Sequence, residues 1–191
     1  PYGKQEITED DIQSVKEVLE SDFLTQGPCV EKFESDLSFK VNSNYACASN
    51  SATSSLHLAC LAVGLSEGDY LWTSPNSFVA SSNCGLYCGA KIDFVDINPH
   101  TLNIDVDNLE IKLKEAQVKN ALPKVIVPVH FGGLSCEMDR IYELKQEYGF
   151  YIIEDASHAI GGQFNDKMVG SCEFSDICIF SFHPVKIITT A

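Results

Sequence analysis

The sequence predicts an α/β fold: a mostly parallel sheet with helices on both faces. Two observations carry that expectation. Strand-like apolar runs alternate with helical stretches along the chain. The runs are also apolar at consecutive positions, as in Tyr151-Ile152-Ile153 and Val125-Ile126-Val127, where a one-faced strand would alternate. No repeat, low-complexity tract or linker interrupts the pattern. A length of 191 residues fits one domain of ordinary size with a substantial core.

The elements follow in order. Residues 8–21 read as an amphipathic helix, with Thr8 as N-cap and Ile12, Val15, Val18 and Leu19 on one stripe. Phe23 to Pro28 reads as a loop, punctuated by Gly27-Pro28. A second helix is expected over 29–40, with Val30, Phe33 and Leu37 inward. Residues 45–49 are short and apolar, like a buried strand. A helix over 52–64 follows, with Leu56, Ala59, Cys60 and Val63 inward. Further strands are expected at 70–73, 92–95, 125–129, 151–155 and 177–181. Helices are expected at 76–88, 105–119 and 136–148, the last with Met138, Ile141 and Leu144 inward.

Composition narrows the function. The net charge is -14, and the 13 Lys and Arg are scattered. A duplex-binding face needs them clustered, so nucleic acid is not an expected partner. No apolar stretch approaches the roughly 20 residues that span a membrane. The N-terminus carries no apolar run of signal-peptide type. The eight Cys sit in apolar stretches, without zinc-finger spacing. They read as reduced, buried thiols of a cytoplasmic protein, with no metal site expected.

In such sheets, ligands gather at the carboxyl ends of the strands. Asp155 ends one strand and could face a protonated ring nitrogen, as in pyridoxal-5′-phosphate (PLP) chemistry. The alternative is a cap onto the following turn. Lys186 lies beyond Phe180-Ser181-Phe182-His183-Pro184-Val185. Desolvation there would favour the neutral amine that Schiff-base chemistry requires; the alternative is an ordinary surface lysine. The run Asn50-Ser51-Ala52-Thr53-Ser54-Ser55 leads into a helix whose first amides are free for a phosphate, or is a plain N-cap. Ser181 adds a hydroxyl five residues before Lys186. Phe78 could stack on a flat ring or belong to the core. His158 could donate to a phenolic oxygen or be structural. His130 and His183 are weaker candidates for the same crevice. No Gly-x-Gly-x-x-Gly or Walker-type motif competes with this reading.

The runs Asn50 to Leu58, Glu154 to Gly162 and Phe180 to Lys186, taken together and in this order, resemble the DegT/DnrJ/EryC1/StrS sugar aminotransferases. The resemblance implies the large domain of PLP-transferase fold type I, with a seven-stranded type of sheet. It implies that residues 1–191 form the N-terminal part of that domain, truncated before a small C-terminal domain. It assigns Lys186 to the aldehyde carbon of PLP, Asp155 to its ring nitrogen and His158 to its phenolic oxygen. Ala52, Thr53 and Ser181 would hold the phosphate, and Phe78 would stack on the ring. Some relatives are dehydratases with His in place of the lysine, so Lys186 favours transamination. Pro1 to Ile7, Ser21 to Pro28 and His183 to Thr190 look like the branch that aminates C4 of a UDP-linked 4-keto-6-deoxy sugar in pseudaminic acid biosynthesis. That branch uses glutamate as donor, and family members are homodimers whose sites borrow partner residues. A chain of this length is therefore expected to be weakly active alone. Another PLP fold type I substrate, a dehydratase and a non-catalytic ligand-binding relative are the other readings.

Overall fold

The computed structural model describes residues 4–190. The Pro1-Tyr2-Gly3 part of the first motif lies outside the described residues. Six α-helices are described: α1 (Glu9–Leu19), α2 (Pro28–Val41), α3 (Ala52–Ala62), α4 (Ala80–Tyr87), α5 (Val106–Val118) and α6 (Met138–Tyr148). The strands are β1 (Tyr70–Thr73), β2 (Lys91–Phe94), β3 (Val125–Val127), β4 (Tyr151–Asp155), β5 (Gln163–Phe164), β6 (Lys167–Met168) and β7 (Ile177–Ile179).

Five strands form one parallel sheet in the order β2-β1-β3-β4-β7. Consecutive apolar residues serve its two faces. Trp72, Ile126 and Ile152 pack with Leu109 and Leu113 of α5 and Ile141 of α6. Leu71, Val125, Val127, Ile153 and Ile179 pack with Leu56 and Cys60 of α3 and Cys84 of α4. In the inner strands β1, β3 and β4 most residues thus bury their side chains on whichever face they meet, which is why those strands do not alternate with polar residues. The outer strand β2 carries Lys91 and Asp93 on the exposed edge, which discourages further pairing.

Three expectations need correction. Residues 45–49 form no strand, and Tyr45 is 90% exposed. A strand needs a ladder partner, and none of the described strands supplies one; the Ala48 amide donates instead to Glu34 Oε1 at 2.7 Å. The helix expected from residue 76 begins at Ala80, because Pro75-Asn76-Ser77 forms a bend first. Helix α1 has its capping box, Thr8 with Asp11, and its apolar stripe, yet buries no residue. The hairpin β5–β6 was not expected. Its two-residue turn, Asn165-Asp166, has both φ positive, the mirror-image turn that matches strand twist. Cys29 and Cys47 are exposed rather than buried, whereas Cys60, Cys84 and Cys136 are buried as expected. No described helix is long and apolar enough to cross a membrane.

Candidate active site

The carboxyl end of β4 places Asp155 inside the protein, at 4% exposure. Its Oδ1 accepts from the Ser157 hydroxyl at 2.6 Å and from the Ser157 amide at 3.2 Å, so the local cap does form. Its Oδ2 accepts from the Ser81 hydroxyl of α4 at 2.6 Å. Among the described residues no Lys, Arg or His lies within ion-pair distance of it. A buried carboxylate served only by neutral donors is an electrostatic position suited to a cation.

Lys186 follows β7 through a tight turn. His183 C=O accepts from the Lys186 amide at 2.8 Å, with Pro184 at the second position, where its fixed φ suits a turn. Thr190 N and the Thr189 hydroxyl both donate to Phe182 C=O, at 3.2 and 3.0 Å, and fasten the segment beyond the lysine. The half-buried Lys186 brings Nζ to 3.0 Å from His158 Nε2. Burial and the Lys186 charge push the His158 imidazole below its usual 6.5, against an opposing pull from the Asp155 carboxylate. His158 thus meets Lys186 directly and feels the charge of Asp155.

His158 is held from behind by the 3₁₀ turn Phe131–Gly133. The Phe131 ring meets the imidazole edge-on, with centroids 6.4 Å apart. Gly133 has φ +90°, and a Cβ there would lie 2.7 Å from His158 C=O. Only glycine fits that approach.

Phe78 is 71% exposed, which removes the core alternative for it. Its ring borders an open pocket with Thr73, Ser74 and Ser77. Ser51 caps α3 by accepting from the Ser54 amide at 3.2 Å. The Ala52 and Thr53 amides precede the first intrahelical donor and are left for an anion. Ser181 is buried just past β7.

Two weaker candidates do not join this group. His130 is fully buried on the opposite face, where Nε2 lies 2.7 Å from Glu154 Oε2. Its Nδ1 accepts the Cys136 amide at 3.1 Å. That leaves no room for a proton on Nδ1, so the ring is the tautomer that donates from Nε2 to Glu154. His183 is exposed and caps its own turn, its Nδ1 accepting from the Val185 amide at 3.5 Å. Sequence reasoning also missed Ser81. Nothing in a serine on an uncharged helix distinguishes a core hydroxyl from one that reaches a carboxylate 74 residues away.

A parallel α/β sheet with a lysine, a histidine and a buried acid near the carboxyl ends of its strands belongs to the class whose ligands gather at those ends. The chain belongs to the DegT/DnrJ/EryC1/StrS aminotransferase family, which matches over residues 5–191. It is 44% identical over 190 residues to a UDP-4-amino-4,6-dideoxy-N-acetyl-beta-L-altrosamine transaminase of Campylobacter jejuni, covering 99% of this chain and 48% of that protein. Among solved structures it resembles Helicobacter pylori PseC, an aminotransferase involved in the biosynthesis of pseudoaminic acid. There the TM-score is 0.90 at 33% identity, covering 100% of this chain and 49% of that one. It also resembles the PLP-form of Spr1654 from Streptococcus pneumoniae, with TM-score 0.90 at 30% identity, covering 100% and 50%. The chain spans about half the length of the curated relatives it matches.

Proposed function

We propose that this chain is the N-terminal part of the PLP-binding large domain of a nucleotide-sugar aminotransferase. The observation that carries the reading is the meeting of Lys186 with His158 at 3.0 Å, with the charge of the cation-free Asp155 acting on the same imidazole. PLP fits the groups present. A protonated pyridine nitrogen is the cation that a buried carboxylate without one can hold, and a lysine amine at the same site suits an aldehyde. When bound, PLP supplies the electron sink through which an amino group is moved.

The chain's own residues then take separate tasks. Asp155 Oδ atoms keep a proton on the ring nitrogen and are themselves held by Ser81 and Ser157. Lys186 Nζ would hold the aldehyde and would also serve as the base that moves a proton at the reacting carbon. His158, held neutral by burial and by its lysine neighbour, is free to donate to a phenolic oxygen. The Ala52 and Thr53 amides and the Ser181 hydroxyl would hold the phosphate, and Phe78 would cover the ring.

The substrate reading is finer. We infer a UDP-linked 4-keto-6-deoxy sugar aminated at C4 with glutamate as donor, by a cytoplasmic homodimer. The support is the C. jejuni and H. pylori relatives named above and the run Ser21 to Pro28. The test is direct. In the intact protein, Lys186→Ala is expected to abolish the visible absorbance of lysine-bound PLP while the fold, by circular dichroism, is kept. An unchanged band would refute the assignment of Lys186. Release of 2-oxoglutarate from glutamate that depends on a UDP-4-keto sugar tests the substrate.

A further inference from the structure

Ser81 lies on α4, fully buried, with no apolar role that a hydroxyl serves better than a methyl group. Its hydroxyl reaches two oxygens: Asp155 Oδ2 at 2.6 Å and Ser77 Oγ at 2.5 Å. The directions of these bonds follow from proton counting. An ionised carboxylate only accepts, so Ser81 donates to Asp155. Ser81 has one proton and has used it, so in the second contact Ser77 donates. Ser77 is then left with acceptor capacity alone, and it lines the open pocket beside Phe78. The adjoining Ser74 hydroxyl, also on this pocket, is buried without a hydrogen-bond partner among the described residues.

We propose that Ser81 is a positioning residue for Asp155, and that the Ser77–Ser81 pair is a one-way hydroxyl relay from the pocket to that carboxylate. The proposal rests on the reading of Asp155 as the holder of the PLP ring nitrogen. The two Asp155 oxygens are pinned from different elements, Oδ1 by Ser157 on its own strand end and Oδ2 by α4. Both pins restrain rotation of the carboxylate about its Cβ–Cγ bond, and the Ser81 bond alone ties it to a second element, α4. Loss of the Ser81 hydroxyl leaves the carboxylate held on Oδ1 alone and removes a charge-assisted bond that favours the anion.

The experiment measures PLP affinity of the intact protein by absorbance titration, with the Ser157 amide resonance followed by NMR in the ligand-free state. Ser81→Ala is expected to weaken PLP binding about tenfold, the scale of a hydrogen bond to a charged group. The same variant is expected to move the Ser157 amide resonance without PLP present, since that amide donates to the carboxylate being released. Ser81→Thr keeps the donor and is expected to bind PLP within about threefold of the parent. Ser77→Ala leaves the Ser81 bond to Asp155 in place and is expected to bind PLP more weakly than the parent but more tightly than Ser81→Ala. Two results overturn the proposal. One is a Ser81→Ala protein with unchanged PLP affinity and an unmoved Ser157 amide. The other is Ser81→Thr as weak as Ser81→Ala, which would make the effect one of packing. Asp155→Asn is the separate control: if it binds PLP as the parent does, the reading of Asp155 fails, whatever the serine variants do to the Ser157 amide.

Discussion

Glu154 and Asp155 are neighbours on β4, buried alike at 5% and 4% exposure, and they face opposite layers of the protein. Glu154 belongs to the α5 and α6 side. It accepts from His130 Nε2 and from the Ser175 hydroxyl, and the far nitrogen of His130 is answered by the Cys136 amide. That network borders only a small cavity of about 10 Å³, against about 210 Å³ beside Phe78. Asp155 belongs to the α3 and α4 side. Its donors are hydroxyls and one amide, and the chain that starts there ends at Ser77 on an open pocket. Burial of a carboxylate therefore does not mark a functional site. The mark is a hydrogen-bond network that stays open at one end, beside a histidine that feels its charge.

The comparison breaks if the two acids respond alike to substitution. The largest effect is expected on the closed side. His130→Ala removes a fully buried ring and a donor to a buried carboxylate, so ligand-free stability should fall by about 3 kcal/mol or more. Urea unfolding measures it, and a loss below about 1 kcal/mol would mean that the Glu154 network is not closed as described. On the open side the expected signature is reversed. Asp155→Asn keeps the shape and removes a buried charge that has no cation, so unfolding should change by less than about 1 kcal/mol. PLP affinity should nevertheless drop by at least about tenfold, equivalent to about 1.4 kcal/mol. A variant that unfolds easily while keeping its PLP affinity would place Asp155 with Glu154 among the structural acids.

How much of this was legible in the sequence depends on the range of the interaction. The strands were readable because consecutive apolar residues such as Ile152 and Ile153 must each find a buried face. Asp155 drew notice as the end of such a run, and Lys186 as a lysine a short segment beyond one. Residues 45–49 misled because apolar composition does not reveal whether a ladder partner exists. The hairpin β5–β6 was passed over because two-residue strands leave almost no periodic signal; its Asn165-Asp166 turn was the available cue. Ser81 and His130 were beyond reach for a common reason. Their partners are distant in sequence, and a serine or a lone histidine carries no pattern that names the partner. The stripe of Ile12, Val15 and Leu19 on α1 was read correctly as a stripe, but all three are exposed, so an amphipathic pattern did not predict burial against the described residues.

The smallest effect sharpens the comparison most, because it tests the crevice with no cofactor present. His158 should titrate below 6.5 in the ligand-free protein, since burial and the Lys186 charge both oppose the imidazolium. The sign for stability follows: the unfolded chain takes up the His158 proton more readily, so this contribution is lost as pH falls below 6.5 and is regained above it. Two substitutions then move the midpoint in opposite directions. Lys186→Ala removes a neighbouring cation and should raise it, though burial, the larger cause, still holds it down. Asp155→Asn removes the opposing anion and should lower it further. The imidazole Cε1–H resonance followed against pH reads both shifts. If neither substitution moves the midpoint, Lys186, His158 and Asp155 do not share one electrostatic environment. In that case the contrast between an open and a closed carboxylate loses its chemical meaning.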